Sequence, residues 1–489
     1  MDGSDLHPKL DFDVIIIGAG ISGLNTAYRI QHELPNDSYA ILEGRNSMGG
    51  TWDLFRYPGI RSDSDLFTFG FSWYPWTSPN PIAEASAIKD YMTDAAVRFG
   101  IDQKILYQHK VNVVHWSGTK HRWFLDISHL DKSKTFTARF IVFGTGYYDY
   151  RQPLHAEISG VEKFKGMLVH PQFWPQDLDC ENKRVVVIGS GATAITIVPK
   201  LAETAGKVTL LQRSPSYIMS IPNRTSQKKN FLMRLIPNAA SLKLTRFLKL
   251  LTSRIFFLFC RAFPGVAERM LRRGTIRQLP ADIPYNPHFK PRYKPWDQRL
   301  CVCPNGDFYK SLHTGKVEIK TDTIKQVTES GIELSSGEVL HADIIITATG
   351  LKLQFAGGIP IFIDGKNYHL HDKFMWKGMM MEDLPNAALV IGYTNISWTL
   401  GADVTGIFVC RLLKHLQRKK YSTVIPRVPE TMHLKPQKML DLNSTYISKA
   451  ENDLPRTANT GPWQPRKNYF WDLISAKYGR IEESLELIP

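Results

Sequence analysis

A chain of 489 residues that is 43% hydrophobic and 22% charged has the make-up of a globular protein with room for more than one domain, not of a disordered or fibrous one. Its five cysteines (Cys180, Cys260, Cys301, Cys303 and Cys410) are too scattered for a disulfide framework and include no CxxC, which argues against a zinc site or dithiol pair and fits a reducing, cytoplasmic setting. The net charge of +15 is local: residues 224–277 hold thirteen Lys/Arg against one acid, Glu268, so the chain does not read as a nucleic-acid binder.

The N-terminus lacks the charged-then-apolar layout of a secretion signal, and no apolar run is long enough to predict a membrane span. From Phe12 to Ile17 a segment that is unbroken β-branched from Val14 onward predicts a strand buried on both faces. It runs into Gly18-Ala19-Gly20-Ile21-Ser22-Gly23, then a helical stretch over 24–34 and a short strand ending in Glu43. This is a βαβ unit with dinucleotide spacing. Gly18 permits the tight turn, Gly20 lets the backbone approach a pyrophosphate, and Gly23 lets helix and strand pack closely. The helix N-terminus takes the phosphate charge, and Glu43 can accept hydrogen bonds from ribose hydroxyls.

The pattern recurs. A strand over 184–188 leads to Gly189-Ser190-Gly191-Ala192-Thr193-Ala194, a helix over 195–201 and a strand over 208–212. No acid ends this second strand; Arg213 and Ser214 follow Gln212 instead. A carboxylate would repel a 2′-phosphate, whereas Arg pairs with one, so the first unit suits FAD and the second NADPH. Strands over 140–143 and 343–347 each run into a small Gly-ended turn suited to crossing between domains beside a cofactor. Residues 232–263 show helical spacing with long apolar segments, and the chain beyond about Arg427 gives weak signals. The expected class is α/β, with two Rossmann-like dinucleotide-binding domains, for FAD and NADP, and a helical insertion. The expected boundaries are FAD domain 1–150, NADP domain 151–222, insertion 223–295, NADP domain 296–348, and FAD domain with C-terminal extension 349–489.

Disulfide reductases also pair FAD with a nicotinamide, but they need a redox Cys pair soon after the first loop, and residues 24–100 contain no Cys. Oxygen is then the obvious electron acceptor. Between the two units stands Phe164-Lys-Gly166-Met-Leu-Val-His170-Pro-Gln-Phe-Trp174-Pro175. It resembles the Baeyer–Villiger fingerprint FxGxxxHxxxW(P/D) at every fixed position. Gly49-Gly50-Thr51-Trp52-Asp53, Arg56-Tyr57-Pro58-Gly59 with Asp63, and Trp296-Asp297-Gln298-Arg299 resemble further segments of the class B flavoprotein monooxygenases. The likeness is nearest to the ethionamide-activating branch, with long-chain-alkane-oxidising members similar too.

That resemblance implies a peroxide formed at flavin C4a that oxidises a ketone to an ester or lactone, with sulfoxidation as a further activity. It implies that Arg299 is catalytic, as a fixed cation, with Asp63 as its acidic partner. It implies flavin-dinucleotide contacts at Gly50, Thr51, Trp52, Asp53, Asp63 and Val111, with Trp52 and Asp53 against the ring and ribityl region. Asn395 to Thr399 resembles the segment that closes over the flavin, and His170 reads as a hinge residue rather than a base. The second cradle comprises Gly189, Ser190, Gly191, Ala192, Thr193, Arg213, Ser214 and Gln298. Many family members have Lys where Gln298 stands, which loads NADPH selectivity onto Arg213.

The expected partners are O2 and a small ketone, sulfide or lipophilic substrate. The alternatives are S- or N-oxygenation, alkane hydroxylation, or a redox-sensing flavoprotein that performs no oxygenation. The basic segment reads either as a helical lobe lining a substrate tunnel or as a peripheral patch on the inner face of the cell membrane, meeting lipid through residues 224–277.

Overall fold

A computed structural model describes residues 10–224, 237–440, 445–466 and 468–489. The start of the predicted insertion helix, at 232–236, lies outside the described residues. Strand Phe12–Ile17 pairs in parallel with Tyr39–Leu42 on one side and with Lys132–Phe143 on the other. Its last four residues, Val14 to Ile17, are almost fully buried, as their unbroken β-branched run requires.

The strand expected over 140–143 is the end of a much longer one. Lys132–Phe143 pairs antiparallel with Arg122–His129 along its first half and in parallel with Phe12–Ile17 along its second. It therefore belongs to a hairpin and to the dinucleotide sheet at once. Its exposed first half is almost wholly polar, which hides it from a search for buried runs. Ala387–Leu389 joins the same strand in parallel, so the C-terminal region returns to the first sheet. Helix Trp398–Lys419 then packs along helix Ile21–Glu33, and the two are pinned by Arg29 and Asp403 at 2.6 Å.

The second sheet is wholly parallel, in the order Val317–Thr321, Lys207–Gln212, Arg184–Ile188, Ile344–Thr347, Met167–Val169. Helix Ala192–Thr204 crosses it and runs through Pro199, three residues beyond the expected stop at Leu201. Two dinucleotide-type sheets in one α/β chain are the expected class. Strand Ile218–Ile221 pairs in parallel with Cys301–Pro304, which brings together the two ends of the helical insertion. Within it, helices Asn238–Ala262 and Pro264–Ile276 meet at a bend of 113°.

Strand Thr423–Pro426, on which the C-terminal strand Leu485–Ile488 pairs, is held by one buried amide. Asn386, 0% exposed, donates from Nδ2 to the carbonyls of Arg139 and Ser422, both at 2.9 Å, and accepts from the Val424 N–H at 2.8 Å. Its own carbonyl accepts from Trp123 Nε1 at 3.1 Å. Asn386→Ala removes three buried hydrogen bonds and should destabilise the protein by about 3 kcal/mol. A drop in melting temperature of several degrees is expected by calorimetry, and a variant melting with the parent would refute this account of the C-terminal anchor.

Candidate active site

The first cradle is built by close backbone approach. A Cβ on Gly23 would stand 1.9 Å from the Gly18 carbonyl oxygen, so only glycine lets the helix start this near its strand. Gly18 itself has φ +104 and lies against the Gly144 carbonyl, where the long strand ends. Helix Ile21–Glu33 has no side-chain cap at Gly20, which leaves its first N–H groups for an anion. Glu43 is 8% exposed; one oxygen accepts from the Ala19 N–H at 2.8 Å and the other from the Arg45 N–H at 2.9 Å. Each oxygen keeps a lone pair, so the carboxylate is held rigid between two loops and can still receive a ribose hydroxyl. Val111 is buried in the neighbouring strand Lys110–Ser117, and the His109 N–H donates to the Glu43 carbonyl, which brings that strand alongside the acid.

The second cradle repeats this construction. Gly189 has φ +140, and a Cβ there would meet the Ala348 carbonyl oxygen at 2.3 Å. Each first glycine is thus wedged against the strand-to-turn crossing of its own domain. Gly191 differs: its backbone is extended, with φ −83, and nothing lies within 4 Å of a Cβ built there. Neither strain nor a protein neighbour accounts for a glycine there, whereas close approach of a ligand does. Gly191 and Ala192 are exposed, Thr193 is half-buried, and helix Ala192–Thr204 also lacks a side-chain cap. Ser190 Oγ lies 3.4 Å from Ser216 Oγ. Arg213 is exposed just past the strand, with half-buried Ser214 beside it, and meets no carboxylate among the described residues. Gln212 turns inward instead, to the His288 carbonyl and Thr321.

The segment from Arg56 to Asp63 joins the two cradles. Burial raises the Tyr57 phenol to about 12 against the opposing effect of a hydrogen bond with Thr193, at the start of the second helix. Gly59 packs on the Thr196 carbonyl. Arg61 forms a partly buried ion pair with Asp307 of the second domain. Asp63 and Arg299 come to the same place. Burial raises the Tyr147 phenol, its hydrogen bond with Tyr148 and the charge of Arg299 oppose that rise, and Asp63 adds to it. Burial likewise pushes the Cys301 thiol up to about 12, with Asp63 again raising it and Arg299 lowering it. Tyr147 follows the first crossing and Cys301 lies in the second domain's strand pair, so both charges face the seam between domains. Half-buried Gln298 precedes Arg299 there.

Tyr147 also stacks on Trp398, with centroids 4.5 Å apart and planes within 10°. Trp398 Nε1 donates to Ser22 Oγ in the first glycine-rich loop at 3.1 Å. Ser397 Oγ pairs with Thr68 Oγ1 at 2.6 Å. The 395–399 segment therefore lies against the first helix start. Tyr147 and Arg61 escaped the sequence reading, and Tyr57 entered it only as part of a motif, with no role of its own. Tyr147 directly follows the Gly-ended turn and could have been flagged by that position.

Thr51 opens the short helix Thr51–Leu54 beside Tyr150, and half-buried Trp52 meets Phe69 edge-on. Gly50 lies against the Gly20 backbone, so this segment borders the first cradle. Asp53 goes elsewhere than expected. Its carboxylate, 3% exposed, pairs with Arg45 at 2.5 Å, with Lys89, and with Arg56 at 3.5 Å. Burial works against its charge, but the Lys89 hydrogen bond and the Arg45 and Arg56 charges outweigh it and hold the carboxyl below its ordinary range. A group so saturated by cations is a structural anchor, not a free partner for a ribityl hydroxyl.

The fingerprint residues clamp the crossings. Asp149 N–H donates to Lys352 O at 2.8 Å and Gln354 N–H to Tyr147 O at 2.9 Å, so the two crossings run side by side. Gln172 Nε2 reaches the Asp149 carbonyl at 2.6 Å, and His170 Nδ1 accepts from the Gln172 N–H at 3.2 Å. Burial lowers the His170 pKa, partly opposed by the Gly350 carbonyl on the second crossing. The folded state therefore binds fewer protons than the unfolded one just below pH ~6.5, and this contribution to stability is lost as pH falls through that window. Against His170→Asn, which can still accept from the Gln172 N–H, the wild-type advantage in melting temperature should shrink between pH 7.5 and 5.5. Parallel melting curves across that range would rule the hinge assignment out.

Comparison with known proteins agrees with this arrangement. The family model described as flavin-binding monooxygenase-like matches residues 12–447. The FAD-containing monooxygenase EthA of Mycolicibacterium smegmatis is 43% identical over 476 residues, covering 96% of each chain. The solved complex of OTEMO with FAD and NADP superposes with a TM-score of 0.75 at 18% identity, over 98% of this chain and 100% of that one. Cyclohexanone monooxygenase bound to epsilon-caprolactone gives 0.74 at 18% identity, over 97% and 99%. At such identities the structural likeness speaks to the fold, and the family match and EthA similarity speak to kinship. The chain belongs to the flavin-binding monooxygenase-like family.

Proposed function

We propose that this flavin monooxygenase is FAD- and NADPH-dependent and carries out Baeyer–Villiger oxidation: a ketone, O2, NADPH and a proton give an ester or lactone, NADP+ and water. The observation that carries the reading is the shared placement of Arg299 and Asp63 at the seam between the two cradles, acting on both Tyr147 and Cys301. When bound, NADPH would supply the reducing electrons and FAD would pass them to O2, activating it for transfer of one atom; the remaining work belongs to the chain. Gly18, Gly20, Gly23 and Glu43 hold FAD, with Gly50, Thr51, Trp52 and the Val111 strand bordering it. Gly189 to Thr193, with Arg213 and Ser214, hold NADPH.

Negative charge develops on the ketone oxygen as oxygen inserts. Arg299 keeps its charge at any working pH, and a fixed cation in a water-poor crevice stabilises such charge without reorganising. Asp63 orients the guanidinium and tempers its charge. The stacked pair Tyr147 and Trp398 forms an apolar wall that keeps water from the reacting centre. A permanent cation favours an anionic, nucleophilic oxidant, which ketones require and sulfides do not. This is why ketone oxidation ranks above S-oxygenation and alkane hydroxylation.

Arg299→Ala should cut ester formation about 10²-fold or more while the purified protein stays yellow and is still reduced by NADPH. Ester production at the parental rate in that variant would refute the assignment. Arg213→Ala should raise the KM for NADPH roughly tenfold or more and leave NADH oxidation nearly unchanged, since the lost charge-assisted bonds reach only the 2′-phosphate. Equal changes for both nucleotides would remove Arg213 from that pocket.

A further inference from the structure

Large apolar side chains left in water are informative only when they gather. Here they gather on two helices. On helix Asn238–Ala262, Phe247, Leu248, Leu251, Ile255 and Leu258 are exposed, between 37% and 56%. Their 3- and 4-residue spacing puts them on one stripe. Phe263 at the bend is 59% exposed, and Val266, Met270 and Ile276 follow on helix Pro264–Ile276, each 45%. The inward face of that second helix is separate, formed by Ala267, Leu271 and Thr275.

Helix Tyr469–Tyr478 extends the surface. Phe470 meets Phe247 with centroids 6.3 Å apart, and Trp471, Ile474 and Tyr478 are exposed by 69%, 50% and 78%. They recur at i, i+3 and i+7 and so share one face. Nothing in the amino-acid pattern links residue 471 to residue 247; only the fold joins the two stripes.

The charge is as one-sided as the apolarity. Residues 238–277 carry nine Lys/Arg against Glu268. Lys249 pairs with Asp65 and Arg261 with Asp297, but Lys243, Arg269, Arg273 and Arg277 meet no carboxylate among the described residues. Arg269 and Arg273 share the exposed face with Val266 and Met270, and exposed Lys477 lies between Ile474 and Tyr478. Among the described residues no single helix is long and apolar enough to cross a membrane, and the bend of 113° sets the two insertion helices across one another.

We propose that this face docks on an anionic lipid bilayer, with the apolar stripes and aromatic side chains entering the headgroup region and the cations meeting lipid phosphates. Interfacial binding of this kind needs apolar residues interleaved with basic ones on a surface helix, and both are present. A soluble acidic partner would match the charge but would leave Ile255, Leu258, Phe263 and Trp471 without apolar cover. The face is also tied to the active site. Arg246 on the first helix donates to the Phe67 and Gly70 carbonyls, at 3.0 and 2.6 Å, and Thr68 between them holds Ser397 of the closing segment.

The test is co-sedimentation of the full-length flavoprotein with vesicles of phosphatidylcholine alone or mixed equally with phosphatidylglycerol, at low and high salt. Strong binding to the mixed vesicles, weakened by salt, is expected. Replacing Leu251, Ile255 and Leu258 together by Ser should weaken it roughly tenfold or more. Arg273→Gln with Arg277→Gln should weaken it about fivefold per cation, on anionic vesicles only. All these side chains are exposed, and flavin content with melting temperature verifies that each variant is folded. Equal binding to both vesicle types, no binding, or parental binding by both variants would overturn the proposal. So would concentration-dependent self-association that the triple variant abolishes without any vesicle binding, which would assign the face to a second copy of this chain.

Discussion

Everything in this molecule leans on backbone meeting backbone at the two places where the chain passes between domains. Gly18 lies against the Gly144 carbonyl and Gly189 against the Ala348 carbonyl, at distances no side chain would tolerate. Each contact joins a nucleotide-binding turn to the strand end from which the chain leaves for the other domain. The two crossings are then zipped together through Tyr147, Asp149, Lys352 and Gln354. A displacement of either turn is therefore passed to both domains, because close-packed backbone cannot be compressed.

The fingerprint motif acquires a physical meaning from this arrangement. His170 and Gln172 fasten the crossings, one beside Gly350 and the other on the Asp149 carbonyl. The charges of Arg299 and Asp63, far apart in the chain, act together at the seam on Tyr147 and Cys301. The Arg56–Asp63 segment carries the acid across by resting Tyr57 and Gly59 on the second cradle's helix.

The helical insertion is fastened to the same frame. Its ends are held by the pairing of Ile218–Ile221 with Cys301–Pro304, so its fixed edge adjoins the strand that follows Arg299. Its free edge carries the apolar and basic stripes. The face proposed to meet lipid is linked to the segment over the first helix start through Arg246, Thr68 and Ser397.

The amino-acid pattern alone determined both dinucleotide units, because glycine spacing, buried β-branched runs and the residue ending each second strand are local signals with local causes. It also pointed to Arg299 and Asp63 through their motifs, and to the basic, apolar insertion through composition. It misjudged Asp53, whose fate depends on Lys89 arriving from a distant helix, and it missed the full length of Lys132–Phe143, whose exposed half is almost wholly polar. Only the tertiary structure decided which partners Tyr147 and Tyr57 find, how Asn386 anchors the C-terminal region, and that Trp471 continues the stripe begun at Phe247. Those contacts join residues far apart in the chain, and no local propensity encodes them; they arise when two sheets, two crossings and three helices compete for the same buried space.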